Sequence, residues 1–141
     1  MRQFKSFTTY TSGIFKLGNG IKVLIADDAS FMRTVLKDIL KSNGLATDIV
    51  EAPDGVEAVR QYIHHKPDLV TMDVNMPKAD GIQALKGIMK VNPNARVIMV
   101  TSVEQKHTVQ DAMKSGARDY IIKPFERGNV GLVFNKVLRT K

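Results

Sequence analysis

Two adjacent carboxylates, Asp27 and Asp28, directly follow an apolar β-branched run in the stretch VLIADDAS. Like charges brought into one crevice need a cation or a strong donor to be tolerated. A third carboxylate, Asp73, closes a second apolar run in TMDVNMPKADG; Thr101 and Ser102 close a third in VIMVTS, and Lys123 follows a fourth in DYIIKPF. Carboxylates are hard oxygen ligands suited to Mg²⁺, which binds through few of them and keeps several waters for a phosphate group to replace. With the acids offset by such a cation and by Lys123, a phosphoryl group can enter. One carboxylate can then act as a nucleophile and form an acyl phosphate. Lys123 as a point charge and Thr101 as a hydrogen-bond donor would hold the phosphoryl oxygens.

These residues can meet only if the elements carrying them end at one place. From Ile21 onward, short apolar runs alternate with longer segments of helical periodicity, which predicts repeated βα units. Strands are expected at residues 22–26, 47–52, 68–72, 96–101 and 119–122. Helical stripes are formed by Met32, Val35, Leu36, Ile39 and Leu40; by Val56, Val59, Tyr62 and Ile63; and by Ile82, Leu85, Ile88 and Met89. Val109, Ala112 and Met113 mark a fourth helix, and Val130, Val133, Phe134, Val137 and Leu138 a fifth. Gly44 and Gly116 fall where helix C-caps belong, and Pro53, Pro67, Pro93 and Pro124 fall between elements. Strands separated by helices run parallel, with right-handed crossovers covering both faces. The expected fold is therefore α/β, a doubly wound five-stranded parallel sheet. Ligands of such sheets bind beyond the carboxyl ends of the strands, where Asp27, Asp28, Asp73, Thr101 and Lys123 all lie.

Composition narrows the function classes. A chain of 141 residues, 43% hydrophobic and 25% charged, matches one soluble globular domain. No apolar run is long enough to span a membrane, and no secretory segment opens the chain. Zero cysteines exclude disulfides and thiolate metal sites, which fits a cytoplasmic protein. The net charge of +7 is partly local: residues 1 to 20 hold Arg2, Lys5 and Lys16 with no acid. The remainder is mildly basic without a Lys/Arg cluster, so nucleic acid is not expected as a direct partner. Residues 1 to 20 also end in the breaker GNG and stand outside the βα pattern. They read as a flexible N-terminal extension to a domain at 21 to 141.

LIADDAS, TMDVNMPKADG, VIMVTS and DYIIKPF, in this order and spacing, resemble the receiver domain of two-component response regulators, from about Ile21 to Lys141. The resemblance implies a flavodoxin-like strand order of 2-1-3-4-5 and makes Asp73 the phosphoacceptor. It implies Mg²⁺ held by Asp28, Asp73 and the main-chain carbonyl of Asn75, with Asp27 acting through the water shell. Lys123 and Thr101 would bind the phosphoryl group, the Lys123–Pro124 bond would be cis, and Thr101 and Tyr120 would form the switch. Position 103, two beyond Thr101, holds Val103 where some members carry an acid or amide that influences the attacking water.

The implied protein is a signalling switch, possessing no catalysis beyond its own phosphotransfer and dephosphorylation. A sensor histidine kinase would supply the phosphoryl group. A downstream protein, as in chemotaxis, would read the face made by the fourth helix, fifth strand and fifth helix. An alternative is the receiver portion of a larger regulator with a DNA-binding or enzymatic output module. A Mg²⁺-dependent phosphatase is disfavoured because Asn75 stands where a second acid would be needed. Taken singly, Asp27 and Asp28 could merely serve the N-terminus of the first helix. His64, His65 and His107 lack partners at ligand-like spacing.

Overall fold

A computed structural model describes residues 20–139. Apart from Gly20, the expected N-terminal extension lies outside the described residues. The elements alternate as β1 (Lys22–Ala26), α1 (Ser30–Ser42), β2 (Asp48–Ala52), α2 (Gly55–His65), β3 (Leu69–Asp73), α3 (Gly81–Val91), β4 (Val97–Thr101), α4 (Val109–Lys114), β5 (Asp119–Ile122) and α5 (Arg127–Arg139). All strand pairs are parallel, in the order β2-β1-β3-β4-β5.

The strand sequences explain why the sheet is covered twice. Every residue of LVTMD in β3 and VIMVT in β4 is buried, as expected of central parallel strands packed on both faces. Alternate side chains then divide into two cores. Leu24, Val70, Met72, Val97 and Met99 meet Ala58, Tyr62, Leu85, Ile88 and Ala112 of α2, α3 and α4. Val23, Ile25, Leu69, Ile98 and Ile121 meet Leu36, Ile39, Leu40, Phe134 and Val137 of α1 and α5. Each fully buried large aliphatic side chain contributes about 1.5–3 kcal/mol.

Two helices open with the same chemistry. The Asp54 carboxylate accepts from the Glu57 N–H at 2.8 Å. Asp80 and Gln83 form a reciprocal capping box, with bonds of 2.9 and 3.0 Å. Such caps satisfy helix-start N–H groups that have no partner within the helix. By contrast, α1 has Ala29 at its N-cap and no side-chain capping bond. Asp27 accepts from the N–H of that N-cap residue at 2.9 Å, but neither Asp27 nor Asp28 caps an N–H within the helix.

Three expectations are corrected. Strands 2, 3 and 4 begin one residue later than expected, and β3 runs on to include Asp73. In α2 the buried face is Gly55, Ala58 and Tyr62, while Val56 and Ile63 are 43% and 51% exposed. The rotation follows from Gly55, whose Cα packs so tightly against the loop before α3 that an added Cβ would lie 2.0 Å from the Ala79 carbonyl oxygen. The fourth helical segment is split into a 3₁₀ turn, Val103–Thr108, and the short α4, in which Met113 is exposed.

Candidate functional site

Register brings the site together. Ala26 pairs with Met72 and Asp73 with Val100, so Asp27 and Asp73 emerge side by side at the carboxyl edge of the sheet. Thr101 pairs with Ile122, which places Lys123 just beyond β5. The Lys123 N–H donates to the Thr101 carbonyl oxygen at 2.8 Å, and the Lys123–Pro124 bond is cis. From there the Lys123 ammonium reaches Asp27 Oδ2 at 2.9 Å and Asp73 Oδ1 at 3.4 Å.

Asp27 and Asp73 are only 5% and 6% exposed, whereas Asp28 is exposed at the mouth. One oxygen from each of the three carboxylates lies within 4.8 Å of the others. A cleft of about 340 Å³ opens over them, lined by Asp28, Asp73, Asn75, Ser102, Glu104, Gln105 and Lys123. Three clustered carboxylates facing one ammonium form a hard oxygen donor set with surplus negative charge. That set fits a divalent cation such as Mg²⁺.

The electrostatics point the same way. Burial first, and then the charge of Asp27, push the Asp73 carboxyl up to about 6, against the opposing pull of Lys123. Burial works against the Lys123 ammonium. Its hydrogen bond to Asp27 and the charges of Asp73 and Asp27 outweigh that cost and raise it above its ordinary value. The loop after Asp73 is held from behind. The Gly81 N–H donates to the Val74 carbonyl oxygen at 2.8 Å, and an added Cβ on Gly81 would sit 2.1 Å from the Asp73 carbonyl oxygen.

Thr101 is fully buried at the end of β4, and its hydroxyl donates to the Ser102 carbonyl oxygen at 3.1 Å. It does not line the cleft. Tyr120, half-buried in β5, lines a separate groove of about 740 Å³ beside α4. Sequence reasoning missed Arg33, which donates to the Asp27 carbonyl oxygen at 2.6 Å and to Glu51 at 2.9 Å. It thereby fixes the backbone that presents the acids. Its signal was available, since residue 33 lies in the first turn of the helix that follows the Asp pair. The cleft-lining Glu104 and Gln105 were also missed. His64 and His65 stack edge to face at the end of α2, and His107 is exposed on the 3₁₀ turn.

Residues 23–132 match the response regulator receiver domain, and the chain belongs to that family of phosphorylation-activated switches of two-component signalling. Among individual proteins, it is 48% identical to the chemotaxis protein CheY of Bacillus subtilis over 83% of this chain and 97% of that one. It is 46% identical to a protein-glutamate methylesterase/protein-glutamine glutaminase of Thermotoga maritima, over 83% of this chain but 34% of the relative. The fold superposes on the crystal structure of a CheX–CheY–BeF₃–Mg²⁺ complex from Borrelia burgdorferi with a TM-score of 0.80. That match has 39% identity and covers 90% of this chain and 96% of that one. Members of this kind are signalling proteins rather than conventional enzymes, and among the described residues no helix is long and apolar enough to cross a membrane.

Proposed function

We propose that Asp73 is the phosphoacceptor of a cytoplasmic chemotaxis-type switch, with the receiver unit running from residue 21 to 141. A sensor histidine kinase is the donor. One Asp73 carboxylate oxygen attacks the phosphorus of its phosphohistidine, the P–N bond breaks, and the electron pair returns to the imidazole. The observation that carries this reading is the Lys123 ammonium held between Asp27 and Asp73 beneath an open cleft. That ammonium orients Asp73 and offsets charge on the arriving phosphoryl oxygens.

Asp28, Asp73 and the Asn75 carbonyl would hold Mg²⁺, with Asp27 contributing through water; bound there, the ion supplies positive charge to the transferring group. Thr101 is the second phosphoryl ligand after its hydroxyl turns from Ser102 toward the cleft, and Tyr120 follows it. The α4–β5–α5 face then meets the target protein, without direct contact to nucleic acid or membrane.

The test is intact mass after incubation with Mg²⁺ and a small acyl phosphate. The wild type is expected to gain one phosphoryl group only when Mg²⁺ is present, and Asp73→Asn to gain none. A phosphoryl group on the Asn variant at wild-type stoichiometry would refute the assignment.

A further inference from the structure

One wall of the cleft is built by the 3₁₀ turn after β4. Ser102, Glu104 and Gln105 line it, whereas Val103 between them is 65% exposed and does not. The turn is fastened on both sides of Gln105. Its N–H donates to the Ser102 carbonyl oxygen at 3.2 Å, and its carbonyl oxygen accepts from the Thr108 hydroxyl at 2.7 Å. Among the described residues, the side chains of Gln105 and Glu104 have no hydrogen-bond or ion-pair partner. A polar side chain on a fixed backbone therefore lines the same cleft as Asp73, with no protein partner that holds it elsewhere.

We infer that Gln105, with Glu104 beside it, sets the rate at which water removes the phosphoryl group from Asp73. The inference rests on the phosphoacceptor reading above. In that step the water oxygen bonds to phosphorus and the bond from phosphorus to the Asp73 oxygen breaks. The electron pair returns to the carboxylate, and a water proton passes to solvent as inorganic phosphate leaves. The water must be held on the open side of the phosphoryl group. A primary amide can accept from water through Oε1 while donating to a phosphoryl oxygen through Nε2. It does so without adding charge to a cleft that already holds three carboxylates. Glu104 can only accept, and its charge opposes that of the phosphoryl group, so Gln105 is the water-positioning residue of the pair.

The experiment loads wild type, Gln105→Ala and Glu104→Ala with a small acyl phosphate and Mg²⁺, removes the donor, and follows loss of the phosphoryl mass with time. Gln105→Ala is expected to load fully, keep its Mg²⁺ affinity and decay about tenfold more slowly, the worth of one modest hydrogen bond in the transition state. Glu104→Ala is expected to change the decay less. Decay of Gln105→Ala at or above the wild-type rate overturns the inference. So does joint loss of loading and Mg²⁺ affinity, which would make Gln105 a structural prop of the turn. Failure of the wild type itself to load would instead overturn the phosphoacceptor reading.

Discussion

Asp73 is a carboxylate kept near the edge of ionisation by its surroundings. In the metal-free protein it titrates at about 6 rather than 3.8, because burial and Asp27 outweigh Lys123. Between those values the folded state holds a proton that the unfolded chain has lost. Its contribution to stability is thus complete below the unfolded value and declines as pH rises through the folded one. Asp73→Asn removes the charge, so the metal-free variant is expected to be about 1–3 kcal/mol more stable than wild type near pH 8, with the gain vanishing near pH 3.5. Urea denaturation at the two pH values measures this; equal stability at the higher pH would show that Lys123 fully compensates the buried charge. Above about 6 the carboxylate is ionised, the form the proposed phosphotransfer needs. Mg²⁺ is expected to raise the melting temperature of wild type by binding the folded state alone. In Asp28→Ala that rise should shrink sharply in a thermal titration, and an undiminished rise would place the ion elsewhere. The acids and Lys123 were legible in sequence because each ends an apolar run. Gln105 was not, because it reaches the cleft through the curl of a 3₁₀ turn that no apolar period announces.

Among the elements, the segment from β3 to α3 carries the greatest constraint. Gly81 opens α3 against the main chain of Asp73, and Gly55 opens α2 against Ala79 of the same loop. The loop behind Asp73 is thus clamped by two helix starts that tolerate no side chain. Gly81→Ala would force backbone apart rather than a flexible side-chain tip, at a cost of about 1–3 kcal/mol. Denaturant titration should show that loss. Mass spectrometry should show slower phosphoryl loading, because the displaced atom is the Asp73 carbonyl oxygen; wild-type stability would mean the helix start slides outward freely. Both helix starts follow the pattern Asp-Gly-x-Glu/Gln, a legible capping signal that hydrophobic periodicity alone passed over. Periodicity misread α2 for the same reason. It counted Val56 and Ile63 as core because they are apolar, whereas small residues, Gly55 and Ala58, decide which face can approach the sheet. The parallel sheet required only the alternation of runs, so it was recoverable; the strand order came with the resemblance of the strand-end motifs.

Across the whole molecule, the proposed function depends on carrying a local event at Asp73 to a surface that the cleft does not include. Thr101 stands between them. It is fully buried, hydrogen-bonded to Ser102 and tied through its carbonyl to Lys123, while its partner strand β5 carries Tyr120. Tyr120 in turn lines the groove with Val109, Met113, Lys106 and Lys114. A hydroxyl that leaves Ser102 for a phosphoryl oxygen vacates packed space beside β5, and a close-packed interior answers such a change by moving a neighbour. Tyr120, only half-buried, is the neighbour able to move. On the proposed reading, phosphorylation would act as a shift between two arrangements of one groove, its size set by how differently each arrangement binds the phosphoryl group. Thr101→Ala removes the hydroxyl without filling the space. It is expected to load phosphoryl on Asp73 while the amide and ring resonances of Tyr120 and of Val109 to Met113 stay at their unphosphorylated positions. In wild type the same resonances move on loading. Full movement in the alanine variant would show that Lys123, which contacts both Asp73 and the start of the β5–α5 loop, carries the signal instead.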